Sequence, residues 1–258
     1  MTEFSDTTRM GIRCAAEILR SSRSAVVLTG AGISKPSGIP DFRSTDGGLW
    51  QRYDPFEVAS LTTFRHRPER FFDWMHSLAL NLYGAQPNVA HLALARLEQA
   101  GYIRRVITQN IDSLHQRAGS QDVIEVHGSL QSLTCVRCYT QYESSAYLKS
   151  FLEHKQIPYC PECGGVLKPD LVLFGEQLPA RAWLAAVQAS KTCDTMIVIG
   201  SSLEVLPVAS LPMRAVDNGA HLILVNMMPT YIDVRADVVL HEDLTDIIPL
   251  IAKEILGE

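Results

Sequence analysis

A parallel α/β sheet covered by helices on both faces, joined to a smaller zinc-binding and helical part, is the fold class that this 258-residue chain predicts. Three observations predict it. Short apolar runs rich in β-branched residues alternate with stretches of helical period, the pattern of right-handed βαβ crossovers. The first of these runs stops at a glycine-rich turn, Thr29-Gly30-Ala31-Gly32. Two Cys-x-x-Cys pairs interrupt the alternation in the middle of the chain, with 21 residues between them.

The elements follow in order. Met10, Cys14, Ile18 and Leu19 recur at helical spacing over residues 7–20. Residues 25–28 read as a buried strand, after which Gly30 and Gly32 let the backbone turn sharply and let a ligand approach it. In a dinucleotide-binding unit the pyrophosphate lies on backbone N–H groups at a helix start. The usual third glycine is missing, because Lys35 stands in its place, so the standard fingerprint fails and a plain strand-to-helix turn remains an equal reading. Ser37-Gly38-Ile39-Pro40-Asp41-Phe42-Arg43 then packs a fixed-φ proline, a carboxylate, an aromatic ring and a guanidinium into one short stretch. The glycine-bearing loop after it is expected to close over a bound ligand. Residues 54–83 are helical in pattern, and their aromatics Phe64, Phe71, Phe72 and Trp74 read as packing.

An amphipathic helix over 88–100 leads to a second strand, 105–108, ending in Gln109-Asn110-Ile111-Asp112, and a third, 123–126, ending in His127-Gly128. Beyond the cysteines, residues 171–174, 195–199 and 221–225 read as further strands, with helical patterns at 180–190 and 207–219. Ligands of such sheets lie at the carboxyl ends of the strands, where Gly30, Gln109, His127, Gly200 and Asn226 all fall. The expected division is a Rossmann-like dinucleotide-binding domain from 1–35, 88–131 and 169–258, a cofactor loop and helical module at 36–87, and a zinc ribbon at 132–168.

Cys135, Cys138, Cys160 and Cys163 form two knuckles that can aim four thiolates at one point. All four positions of a tetrahedron are then filled, so one structural zinc per chain is expected, with no open site for catalysis. A redox dithiol needs only one pair, and iron–sulfur clusters use other spacings. Cys14 and Cys193 read as small buried residues. A net charge of −5 offers no electrostatic reason to bind nucleic acid or an anionic membrane, and the ribbon's only cations are Arg137, Lys149, Lys155 and Lys168. A basic protein segment suits this charge better. The N-terminus lacks a signal pattern and no apolar run approaches the roughly 20 residues that span a bilayer, so a cytoplasmic location is expected.

His127 stands apart from the other histidines because it sits at a strand end beside Gly128, near Gln-Asn-Ile-Asp at the neighbouring strand end. With an ordinary pKa of about 6.5, an imidazole is mostly neutral just above pH 7 and accepts a proton from a sugar hydroxyl better than a carboxylate does.

Over nearly its whole length the chain resembles the sirtuins, the NAD-dependent protein-lysine deacylases. The resemblance rests on Gly30-Ala-Gly-Ile-Ser34, Ser37-Gly-Ile-Pro-Asp-Phe-Arg43, Thr108-Gln-Asn-Ile-Asp112, His127-Gly128, the four cysteines, Phe174-Gly-Glu176, Gly200-Ser-Ser202 and Asn226. It implies that Ala31, Asp41, Phe42, Arg43, Gln109, Asn110, Ile111 and Asp112 line the pocket for the nicotinamide and its ribose, with Gly30, Gly32, Ile39 and His127 also meeting the cofactor. Gly200, Ser201, Ser202 and Asn226 would hold the phosphates and adenosine, with Leu244 near the adenine, although Glu242-Asp243 departs from the small residues usual there. Val172, Phe174, Gly175, Glu176 and Val205 would clasp the substrate peptide as an added strand. The implied partner is an acylated-lysine protein. Its acyl oxygen attacks the nicotinamide ribose, nicotinamide leaves, His127 serves as general base and Asn110 orders the ribose and a water. The products are acyl-ADP-ribose and free lysine. Relatives that remove acidic acyl groups carry Tyr and Arg where this chain has Met75 and Leu78, so neutral groups are expected, acetyl first and longer chains next. Two other readings of the same pocket stay open: ADP-ribosyl transfer to protein or NAD hydrolysis, and an NAD sensor without turnover.

Overall fold

The computed structural model describes residues 4–41, 51 and 53–257. Phe42 and Arg43, two of the expected cofactor contacts, and the loop through Trp50 lie outside the described residues. The chain divides into two compact units, one of Met1–Ser37, Gln86–Val126 and Arg181–Glu258, the other of Gly38–Ala85 and His127–Ala180.

The first unit is built on six strands: β1 (Ala25–Thr29), β2 (Arg105–Thr108), β3 (Val123–Glu125), β7 (Thr195–Ile199), β8 (His221–Val225) and β9 (Val238–Leu240). All are parallel, in the order β3-β2-β1-β7-β8-β9. Counted within this sheet that is 3-2-1-4-5-6, the doubly wound order, whose switch point lies between β1 and β7. Every residue of β1 and of β7 is buried, which explains why both read as unbroken apolar runs: helices cover both faces of a parallel sheet. The covering helices include Asp6–Ser21, Val89–Gln99 and Leu244–Leu256, and their apolar faces meet the strands in one core holding Leu19, Val27, Leu94, Ile223 and Ile251. Ser5 caps the first of these helices, its hydroxyl accepting from the Thr8 amide at 3.1 Å.

The sixth strand corrects the sequence expectation. Residues 171–174 do not join this sheet; Val238–Leu240 does. Three residues are too short a run to show a period, and β9 exists because β8 offers it an edge.

The second unit holds an antiparallel sheet, β5-β4-β6, made of β4 (Gly128–Cys135), β5 (Gln141–Glu143) and β6 (Leu167–Leu171). Its helices are Pro55–Val58, Leu61–His66, Pro68–Gly84 and Ser145–His154. The aromatics expected to pack do so: Phe64 and Phe71 meet edge to face at 5.1 Å, and Phe72 meets Phe151 at 5.7 Å. His76 Nε2 also lies 3.0 Å from the Leu152 carbonyl oxygen. These contacts join the helical stretch to the helix of the cysteine-bearing stretch, so the two form one compact unit where separate modules were expected. Residues 128–131 and 169–171 belong here as well, because Gly128 pairs with Leu171 across β4 and β6. Among the described residues no helix is long and apolar enough to cross a membrane.

Candidate active site

At the switch point two turns interlock through their backbones. The Gly30 amide donates to Ile199 O at 3.2 Å and the Gly32 amide to Gly200 O at 2.9 Å. A Cβ on Gly32 would lie 2.7 Å from Gly200 Cα, and one on Gly200 would lie 2.5 Å from the Ile33 nitrogen. The glycines are thus required by the close approach of these two strand ends. That approach also makes a cradle of bare backbone, with no side chain to hold off a dinucleotide phosphate. Ala31 begins the 3₁₀ turn Ala31–Ser37, which continues the chain here as a tight helix instead of a regular α-helix.

Beside the cradle a polar cluster is fully wired. Asn110 Nδ2 donates to Gly30 O and to Ser34 Oγ, both at 3.0 Å, which leaves its carbonyl oxygen as the atom to present to a ligand. Ser34 in turn donates to Asp112 Oδ2 at 2.6 Å, and the Leu114 amide donates to Asp112 Oδ1 at 2.9 Å. Burial pushes the Asp112 carboxyl above its ordinary range, against the pull of Ser34, Leu114 N–H and the Arg117 cation. Gln109 Nε2 reaches across β1 to Ser201 Oγ at 2.9 Å, tying the end of β2 to the end of β7. Asn226 ends β8, its amide bonded to Leu240 O and its side chain to Met228 O.

Of the remaining expected contacts, Ile39 and Ser201 are buried, Asp41, Ile111 and Val205 are half-buried, and Ser202 is exposed. Leu244 begins the helix Leu244–Leu256 with its side chain packed in the core, which leaves its backbone as the part open to a ligand. Ser34 is a member of this cluster that sequence reasoning quoted in a motif but did not assign. Its hydroxyl shows its importance only once Asn110 and Asp112 are folded against it.

In the second unit His127 occupies the turn that precedes β4, half-buried, its carbonyl accepting from the Val172 amide at 2.8 Å. Gly128 follows with φ +77°, and a Cβ there would fall 2.0 Å from Asp170 O, so glycine at this position is dictated by the contact of β4 with β6.

The segment after β6 is held from inside. Phe174 N–H donates to Ala59 O and Phe174 O accepts from the Leu61 amide, both at 3.0 Å. Leu173 N–H donates to Glu176 Oε2 at 2.9 Å. The amides of Val172, Leu173, Phe174 and Glu176 are all bonded within the protein, and Gly175, with φ +87°, has open space where a Cβ would stand. Glu176 does not reach outward either. Its Oε2 pairs with Lys168 Nζ at 3.0 Å, and Lys168 also donates to Leu171 O at 2.8 Å. Lys168 was expected only as a stray cation of the ribbon; no local pattern tells that it buttons down the loop eight residues later. Met75 and Leu78 are both buried on the helix Pro68–Gly84.

Cys135, Cys138, Cys160 and Cys163 converge, with all four Sγ atoms within 4.8 Å of one another. The closest pairs, Cys135–Cys163 at 3.4 Å and Cys138–Cys160 at 3.6 Å, are far beyond a disulfide bond. They lie near the spacing of about 3.8 Å that follows from Zn–S bonds of about 2.3 Å in a tetrahedron. Each knuckle turns back through a left-handed residue, Tyr139 at φ 61° and Gly164 at φ 70°. The Arg137 amide points at Cys135 Sγ, and the Tyr142 hydroxyl lies 3.2 Å from Cys160 Sγ. The donor set fits a structural zinc ion.

Residues 30–207 match the Sir2 family. An NAD-dependent protein deacylase of Archaeoglobus fulgidus is 47% identical over 245 residues, which is 95% of this chain and 96% of that protein. Among solved structures, a Sir2 enzyme superposes with a TM-score of 0.91 at 46% identity, covering 96% of this chain and 99% of the other. A Sir2 chain solved with a p53 peptide and NAD+ superposes with a TM-score of 0.85 at 40% identity, covering 94% and 97%. Cradle, polar cluster, cysteine tetrad and matches agree, and the chain belongs to the Sir2 family, the sirtuins.

Proposed function

We propose that this protein removes acetyl groups, and longer neutral acyl groups, from protein lysines in an NAD-dependent reaction that yields nicotinamide, acyl-ADP-ribose and free lysine. The observation that carries the reading is the wired cluster of Gly30, Ser34, Asn110 and Asp112 beside the glycine cradle at the switch point. NAD supplies the electrophilic sugar carbon; the chain supplies everything that orders it. The amides of Gly30, Gly32 and Gly200 are spent within the fold, so these glycines serve by letting the phosphates come close, while the Ser201 hydroxyl, accepting from Gln109 Nε2 and the Leu203 amide, keeps its own hydrogen to donate to them. Asn110, with both amide hydrogens spent, offers its carbonyl oxygen to a ribose hydroxyl or a water. Asp112, aligned by Ser34 and Leu114 N–H, accepts from a carboxamide.

His127 takes a proton from a ribose hydroxyl as general base. The segment 172–176 receives the substrate backbone at Gly175, and the buried Met75 and Leu78 support a neutral acyl chain over an acidic one. The four thiolates fill the coordination of a zinc ion and leave it no open position for chemistry, and a reducing compartment, the cytosol, suits such a site.

The test is mass spectrometry of the protein mixed with NAD and an acetyl-lysine peptide. Acyl-ADP-ribose together with a deacetylated peptide is the expected result. A mass gain on protein, or free ADP-ribose alone, would instead indicate ADP-ribosyl transfer or NAD hydrolysis, and unchanged substrates an NAD sensor. His127→Ala should cut deacylation by roughly 100-fold to 10,000-fold while NAD still binds; full activity in that variant removes His127 from its role.

A further inference from the structure

Behind the polar cluster two buried imidazoles pack against each other, His91 on the helix Val89–Gln99 and His115 on Leu114–Ala118, with ring centroids 4.9 Å apart. Neither is used by the chemistry above. Both are essentially inaccessible, and each carries one buried nitrogen without a hydrogen-bond partner: Nε2 of His91 and Nδ1 of His115.

Their other bonds settle which of these nitrogens bears hydrogen. His91 Nδ1 accepts from the Asn88 amide at 3.4 Å, as half of a capping box, so its proton sits on Nε2. The Thr29 hydroxyl spends its one hydrogen on Thr108 Oγ1 at 2.9 Å and therefore receives from His115 Nε2 at 3.0 Å, which leaves His115 Nδ1 bare. One ring thus holds an orphaned donor and its neighbour an orphaned acceptor. Two imidazoles joined by an N–H···N bond of ordinary length have centroids about 5 Å apart, so a modest ring rotation joins them. A buried group left unbonded is costly, which favours the joined state.

We infer that His91 Nε2–H donates to His115 Nδ1, and that this couple makes both histidines positioning residues for the cofactor loops. The link completes a chain. Asn88 Nδ2 holds Ile33 O at 2.7 Å and Ser37 Oγ at 3.0 Å, within and at the end of the turn Ala31–Ser37 that follows the cradle. From Asn88 the chain runs through His91, His115 and Thr29 to Thr108, whose Oγ1 accepts from the Asn110 amide at 3.1 Å. The 31–37 turn and the Asn110 loop are then set by one continuous string of hydrogen bonds. The inference rests on the proposed reading only in taking these loops as the ones that bind NAD.

The couple is read directly by nuclear magnetic resonance on the zinc-loaded full chain labelled with ¹⁵N-histidine at neutral pH. Both rings should be neutral Nε2–H tautomers, with a ¹⁵N–¹⁵N coupling across the bond from His91 Nε2 to His115 Nδ1. An Nδ1–H tautomer or a charged ring at either position, or correct tautomers without the coupling, overturns the link. Its role is read by calorimetric NAD binding in a double-mutant cycle. His91→Leu should weaken NAD roughly fivefold to tenfold, and the double variant with His115→Leu should be no weaker than His115→Leu alone. Single variants that bind NAD normally, or losses that multiply, overturn the positioning role. Should the variants fail to fold, the coupling in the unaltered protein still decides the link. A protein that binds NAD but turns over no acyl-lysine sinks the proposed activity and leaves the couple standing.

Discussion

Lys168 shows how one side chain can govern a loop it does not belong to. Its ammonium is mostly buried, paired with Glu176 at 3.0 Å and bonded to the carbonyl oxygen of Leu171, while the same Glu176 oxygen receives the Leu173 amide. Lys168→Met removes the cation and leaves a carboxylate in a half-buried place, a loss of about 1–3 kcal/mol. The loosened 172–176 segment should raise the KM for an acetyl-lysine peptide several-fold and leave the KM for NAD near its starting value; steady-state kinetics with each substrate varied in turn checks the split. Gly32 is the opposite case, a residue required for what it lacks. Gly32→Ala sets a Cβ 2.7 Å from Gly200 Cα, where backbone faces backbone and no flexible side chain can yield. The expected cost is about 1–3 kcal/mol in denaturant unfolding, with weakened NAD binding by calorimetry.

Among the elements, the three-stranded sheet depends most on something other than its own size. β5 has three residues and β6 five, and the buried set around the cysteines is small: Leu133, Cys135, Cys160 and Leu167, with Tyr142 and Tyr147 packed against it. A zinc ion in a four-thiolate site contributes about 10–16 kcal/mol, comparable to the whole stability of a domain at about 5–15 kcal/mol. Chelation should therefore melt this sheet and abolish deacylation although no thiolate touches a substrate, and zinc should restore both. Hydrogen exchange should show lost protection confined first to residues of β4, β5 and β6. Persistent protection after verified metal loss would make the sheet self-supporting.

On the scale of the whole molecule, the buried histidines make folding depend on pH. Burial lowers the His91 pKa to about 4, and burial together with the neighbouring His91 lowers that of His115 to about 3, against an ordinary value of 6.5. The unfolded chain binds protons at these positions below about pH 6.5 and the folded one does not, so the unfolded state gains as pH falls. Stability contributed by neutral burial is complete above about pH 6.5 and is lost progressively toward pH 4, with His91 alone accounting for something on the order of 3 kcal/mol. Urea unfolding followed between pH 7.5 and 4.5 should show this decline, and His91→Leu should flatten it. An equal slope in that variant would assign the decline to other groups.

By itself the sequence determined the alternation of strand and helix, the zinc tetrad and the glycine and polar stretches at the strand ends, because each of these is a local pattern. A run such as Thr195–Ile199 must be buried to be so apolar, and two Cys-x-x-Cys pairs have few other uses. Tertiary structure alone decided the rest. Val238–Leu240 became a strand through the edge that β8 offered, and Leu244, expected near an adenine, turned its side chain to the core. Ser34, His115 and Lys168 acquired roles from partners 78, 86 and 8 positions away respectively. A hydrogen bond over such distances leaves no period or spacing in the chain, since what selects it is the cost of burying a polar group unpaired, and that cost arises only after folding has brought the two atoms together.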